Sequence, residues 1–172
     1  MMVFGENTDL VFIEVFQAME RIKEIQAHMD HVISQIPDTG ERRCAYVHLY
    51  GVSQACALLA MKRNLDVELA AVTGLLHDIY AYSTGDRKEH AHKGAAMAKE
   101  VLLSPGSFSM EEIDMISRAV YRHSDKETVD SPFDELLKDA DILQHYLFNP
   151  LSEVPGREAA RLTNMKKELD LE

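Results

Sequence analysis

The stretch DLVFIEVFQAMERIKEIQAHMDHVISQI, residues 9–36, decides the fold class. Its apolar residues Phe12, Phe16, Met19, Ile22, Ile25, Met29, Val32 and Ile36 recur at steps of three and four. That spacing lays one stripe along an α-helix, whereas a half-buried strand would alternate every second residue. Thr8 or Asp9 is the expected N-cap, and Pro37-Asp38-Thr39-Gly40 is a stop. A second helix is expected from about Glu41 to Arg63, with Cys44, Val47, Gly51, Ala55 and Leu58 on one face. Asn64-Leu65-Asp66 breaks it, and Asp66 can cap a third helix reaching His77-Asp78. A polar loop, Ser83-Thr84-Gly85-Asp86-Arg87, precedes a fourth helix from about Lys88 to Leu103. Ser109 can cap a fifth, to about His123, and Ser131-Pro132 opens a sixth, to about Phe148. Residues 156–172 read as an exposed helical tail. With no sustained period-two alternation, the chain is expected to be all-α, a bundle of about six to seven helices.

The 172 residues suit one domain, with 46% hydrophobic and 27% charged residues, ordinary globular values. No run approaches the ~20 apolar residues of a membrane span, so no membrane partner is expected. The N-terminus has no basic segment of the secretory kind, and Cys44 and Cys56 read as buried hydrophobes of a reducing compartment; the expectation is cytoplasmic. The net charge of -11 argues against binding a nucleic-acid duplex through its backbone. A small phosphorylated substrate stays open, because a local metal cluster can outweigh the global field.

The apolar run Ala70-Ala71-Val72-Thr73-Gly74-Leu75-Leu76 closes on His77-Asp78. A buried, unpaired carboxylate is very costly, and a metal ion would compensate it. His48 lies on the apolar face of the second helix, and His77 shares a face with Leu69, Val72, Thr73 and Leu76. Spacing leaves Asp139 and Asp141 both open as the inward carboxylate of the sixth helix. Imidazole with carboxylate suits a divalent transition metal such as Mn, Fe, Co, Ni or Zn.

Leu75-Leu76-His77-Asp78-Ile79, with His48 in Tyr46-Val47-His48-Leu49-Tyr50 and Asp141 in Lys138-Asp139-Ala140-Asp141-Ile142-Leu143, resembles the HD superfamily of metal-dependent phosphohydrolases. The resemblance covers residues 42–148 and implies the ligands His48, His77, Asp78 and Asp141, choosing Asp141 over Asp139. His90, in His90-Ala91-His92-Lys93-Gly94-Ala95, and His123 are similar to two further histidines of many members. By that likeness they would hold a second ion with Asp78 as the bridge; the alternative has one metal, with both histidines on a substrate phosphate. His92 competes for the role of His90. His28 and His31 read as solvated, and His145 as incidental or supporting. Tyr80-Ala81-Tyr82 follows the pair where some members carry glycine-lysine, and no G-Y-P segment is present.

The resemblance implies hydrolysis of a phosphoester or phosphoanhydride in a nucleotide or other small phosphorylated metabolite. Metal-bound hydroxide would be the nucleophile, with Asp78 positioning it. Lys93 and Arg122, each beside a site histidine, are candidate substrate contacts. Two other readings compete: an HD-type diiron oxygenase, and a non-catalytic sensor on the same fold. The long first helix is expected to cover the core or to form a homodimer seam.

Overall fold

The second and third helices come into backbone contact range at Gly74, where a Cβ would lie 2.6 Å from the Cα of Ser53. A glycine is required there, since any side chain would meet backbone. The structure, a computed structural model, describes residues 6–171, with side chains from Gln17 onward apart from Arg157. Eight helices are present among the described residues, and no strand. They are α1 (Glu6–Ser34), α2 (Thr39–Arg63), α3 (Val67–Leu76), α4 (Ile79–Thr84), α5 (His90–Leu103), α6 (Met110–Arg122), α7 (Pro132–Phe148) and α8 (Gly156–Glu168).

Capping fixes the helix starts much as the sequence indicates. Asp66 accepts from the Leu69 N–H at the head of α3, and Ser109 and Ser131 form reciprocal capping boxes with Glu112 and Asp134. Asp38, expected only as part of a stop, caps α2 by accepting from the Glu41 N–H. Thr8 and Asp9 lie inside α1 rather than at its cap. The side chains of Phe12 and Phe16 lie outside the described residues.

The core is one apolar cluster to which all eight described helices contribute, α4 through Ile79. The α3 helix runs through its centre, every residue from Leu69 to Asp78 being buried. α2 packs mainly on α3 and α7, and α5 on α6. α1 covers the core with Ile25, Met29 and Ile33, although Met19 is exposed.

Four expectations need correction. α2 turns Ala45, Leu49, Val52, Cys56 and Leu59 inward, leaving Cys44, Val47 and Leu58 exposed. Being apolar on two faces, α2 hides from sequence which one the core takes. It is also long and apolar enough, by length and composition, to cross a membrane, yet it packs at the centre of the bundle. Part of the polar loop is the short helix α4. The tail is not wholly exposed: α8 buries Leu162 and Met165 against α7.

Candidate metal centre

Asp78 follows α3 with its side chain 9% exposed, and its two oxygens face different pairs of imidazoles. Oδ2 lies 3.6 Å from His48 Nε2 and 3.8 Å from His77 Nε2. Oδ1 lies 3.4 Å from His90 Nε2 and 3.5 Å from His123 Nε2. Asp141 Oδ1 completes the first group, 3.8 Å from His48 Nε2 and 3.9 Å from His77 Nε2. Five helices and their ends thus converge on one cluster of four imidazoles and two carboxylates.

The imidazoles are oriented by their other nitrogens. Nδ1 of His77 donates to the carbonyl of Gly74 (2.8 Å), that of His90 to Arg87 (3.0 Å), and that of His123 to Val120 (2.7 Å). Each of these acceptors lies three residues upstream. His48 Nδ1 donates instead to the side-chain oxygen of Gln144 at 2.8 Å. A carbonyl can only accept, so Nδ1 carries a proton, and each ring in its neutral form presents its Nε2 lone pair to the centre.

Those lone pairs then face one another. His48 and His77 bring their Nε2 atoms within 3.0 Å, and His90 and His123 within 3.2 Å. Two lone pairs at that range repel unless a proton or a metal ion lies between them. Nitrogen ligands ~2.1 Å from one ion stand about 3.0 Å apart at a right angle and about 3.4 Å apart in a tetrahedron. Asp78 Oδ1 is buried and receives no hydrogen bond. An orphaned carboxylate oxygen among imidazole lone pairs is the donor chemistry that a cation satisfies, and the residues fit two divalent ions sharing Asp78.

The local electrostatics agree. Burial alone would raise the Asp78 carboxyl, but His77, His123 and His48 around it hold it far below the usual carboxylate range. Asp141 likewise overcomes burial, chiefly through the Lys126 ammonium, and stays ionised. Burial pushes His77 down to about 4. Burial opposes protonation of His48 too, yet Asp78, Asp141 and Gln144 outweigh it and raise that ring, so a proton competes with a cation there.

Asp139, left open beside Asp141 by spacing, points away and binds Arg63 (2.8 Å) and Arg161 (3.0 Å). His92 is exposed and stacks on Tyr121, whereas His90 faces the centre. His28 and His31 are exposed. His145 stacks on His48 with ring centroids 5.0 Å apart, and its Nε2 lies 3.8 Å from Asp141 Oδ1.

A cleft of about 470 Å³ opens over the donors, lined in part by Val47, Tyr82, Arg87, Lys126 and Phe148. Lys93 and Arg122 do not line it. Lys93 turns to Tyr80 and Asp86, and Arg122 is held by Asp130 and Asp134. The cations that do line it, Arg87 and Lys126, reach in from loops and carry no motif, so sequence reading passed over both.

Comparison with known proteins agrees with this architecture. The HD domain family model matches residues 45–145. No curated protein matches the sequence. The chain is similar to the crystal structure of a predicted HD superfamily hydrolase from an uncultured Thermotogales bacterium, at 18% identity and a TM-score of 0.57. That likeness covers 84% of this chain and 87% of the other, and it concerns the fold. With the family match spanning more than half of its length and all six donors in or between the matched helices, the chain belongs to the HD domain family.

Proposed function

We propose that this protein is a metal-dependent phosphohydrolase, cleaving a phosphoester or phosphoanhydride bond in a nucleotide or other small phosphorylated metabolite. One observation carries the reading: the two oxygens of Asp78 each face a pair of imidazole lone pairs, and one of those oxygens has no hydrogen bond in the buried interior.

His48, His77, Asp141 and Oδ2 of Asp78 would hold one ion; His90, His123 and Oδ1 of Asp78 would hold the second. A divalent pair in such a site supplies Lewis-acid polarisation of a phosphoryl oxygen and acidification of water. The chain contributes position. Asp78 ties the two groups to the end of α3, which is fixed in the core, and the Nδ1 bonds set the ring planes. Tyr82 and Phe148 give the cleft flat apolar walls, and Arg87, its guanidinium 5.6 Å from the Tyr82 ring centre, adds a cation. Aromatic wall, cation and a volume inside the usual small-molecule range suit a phosphate carried on a planar organic group.

The test is purification without chelators, metal analysis, and phosphate release from a nucleotide panel with oxygen excluded. Release is expected, with His77→Ala lowering it by more than the ~100-fold that even an outer hydrogen-bond partner can cost. Full activity in His77→Ala would overturn the site. Failure to hydrolyse anaerobically, with an oxygen-dependent mixed-valent iron signal, would replace hydrolysis by oxygenase chemistry.

A further inference from the structure

Lys126 lies three residues beyond His123, in the loop between α6 and α7, with its side chain 8% exposed. Its Nζ donates to Asp141 Oδ2 at 2.7 Å and, at 3.4 Å, to the carbonyl of Lys138. The loop is fixed from beneath. Arg161 of α8 donates to the carbonyl of Lys126 at 2.9 Å, and the buried Lys138 ammonium holds Thr128 O at 2.8 Å and Asp130 Oδ2 at 2.6 Å. Lys126 is therefore a placed cation in the wall of the cleft, directly beside the donor cluster.

Its surroundings leave it under-served. An ammonium has three N–H donors, and one of its two contacts is at the limit of hydrogen-bond length. Its carboxylate partner within 4.0 Å among the described residues is Asp141, whose other oxygen faces His48 and His77. A divalent ion drawn to that oxygen takes up the charge of Asp141. The nearly buried ammonium is then short of a counter-charge, which is costly in a low-dielectric wall. An oxyanion entering the cleft restores the balance.

We infer that Lys126 forms an oxyanion subsite: it pins Asp141 through Oδ2 and donates its remaining N–H to a phosphate-type oxygen of the ligand in the cleft. The inference rests on the metallohydrolase reading of the same site, and names the residue that binds the substrate's or product's phosphate. It also separates Lys126 from Lys93, whose ammonium is engaged with Tyr80 and Asp86 outside the cleft.

The experiment is calorimetric titration of inorganic phosphate into protein saturated with Mn²⁺, with bound metal counted in each sample. Lys126→Met is expected to weaken phosphate binding about tenfold or more, the worth of one hydrogen bond to a charged group. Its bound Mn²⁺ should stay at the wild-type level, Lys126→Arg should recover most of the affinity, and Lys93→Met should match wild type. Unchanged phosphate affinity in Lys126→Met would overturn the inference and leave Lys126 as a counter-ion of Asp141. Should Lys126→Met fail to fold or to take up Mn²⁺, a crystal structure of wild type with Mn²⁺ and phosphate decides. A phosphate oxygen within hydrogen-bond distance of Nζ supports the subsite, and any other placement refutes it. Wild-type protein that binds no Mn²⁺ counts against the metallohydrolase reading itself. Mn²⁺ uptake with Lys126-dependent phosphate binding but no phosphate release from nucleotides leaves the subsite standing and removes the hydrolase.

Discussion

His77, with 1% of its side chain exposed, and His90, with 27%, face opposite oxygens of the same aspartate. The groups around them are built differently. His48, His77 and Asp141 come from α2, the end of α3 and α7, helices that pack on one another at the centre of the bundle. His90 is the first residue of α5, after an exposed loop at 85–89, and Glu89 before it holds a left-handed backbone at φ 55°. The inner group also has two carboxylate oxygens and the outer group one. Donor number and rigidity together teach that the two positions differ in affinity, so metal titration of the metal-free protein should be biphasic, with the inner position filling first.

The largest effect is expected where the two groups join. Asp78→Ala should leave no metal retained through desalting and no hydrolysis, while His90→Ala should keep the inner ion; equal losses in both variants would dissolve the distinction. Gly74→Ala comes next, because its Cβ would meet Ser53 backbone at 2.6 Å and push apart the helices that carry His48, His77 and Asp78. Denaturant unfolding of the metal-free variant should show a loss of about 3 kcal/mol, with both metal phases weakened.

Gln144→Leu sharpens the contrast, since it removes the acceptor of His48 and touches nothing in the outer group. Metal affinity of the first phase should fall by ~10–100-fold with the second unchanged, as calorimetry can resolve. The smallest effect concerns the ion network under the loop at 124–131. Burial would raise the Glu135 carboxyl, but Arg161, Lys138 and the Asp130 N–H outweigh it and hold it below 4.5. A carboxyl depressed by folding stabilises above its unfolded pKa, and that stabilisation is lost as pH falls through the folded value. Glu135→Gln should therefore flatten the acid limb of the stability curve below pH 4.5, by no more than about 1 kcal/mol, with no change near pH 7 to the outer phase.

Much of this was legible from the sequence. Helical spacing at residues 9–36 and the caps at Asp66, Ser109 and Ser131 follow from rules acting over a few residues, and they hold. The six donors carry the HD pattern, and the structure brings all six together, although spacing alone could not separate Asp141 from Asp139. Their partners separate them: Asp139 meets two arginines, one of them from α8. That helix offered the sequence little to read, because its docking depends on Leu162, Met165 and the bonds of Arg161. Lys126, Arg87 and Gln144 were missed for a related reason. Lys126 and Gln144 act through long side chains whose partners lie on other helices, and Arg87 stands in a loop with no motif, so no local spacing records them.

The inner face of α2 was misread because Val47, Gly51 and Leu58 form as regular an apolar row as the true core residues. Gly51 shows what that row does instead: a Cβ there would lie 2.8 Å from Gln144 Cγ, so its bareness leaves room for the amide that orients His48.

Three of the four imidazoles take their aim from a carbonyl three residues upstream, in their own helix or the turn before it. A peptide carbonyl is present whatever side chain is attached to it. The bearings of His77, His90 and His123 are thus written into the course of the main chain and survive substitution of the neighbouring side chains for as long as the helices hold. Only His48 depends on a side chain, that of Gln144, so inherited variation has one dial with which to turn a ring of this centre while every donor stays in place.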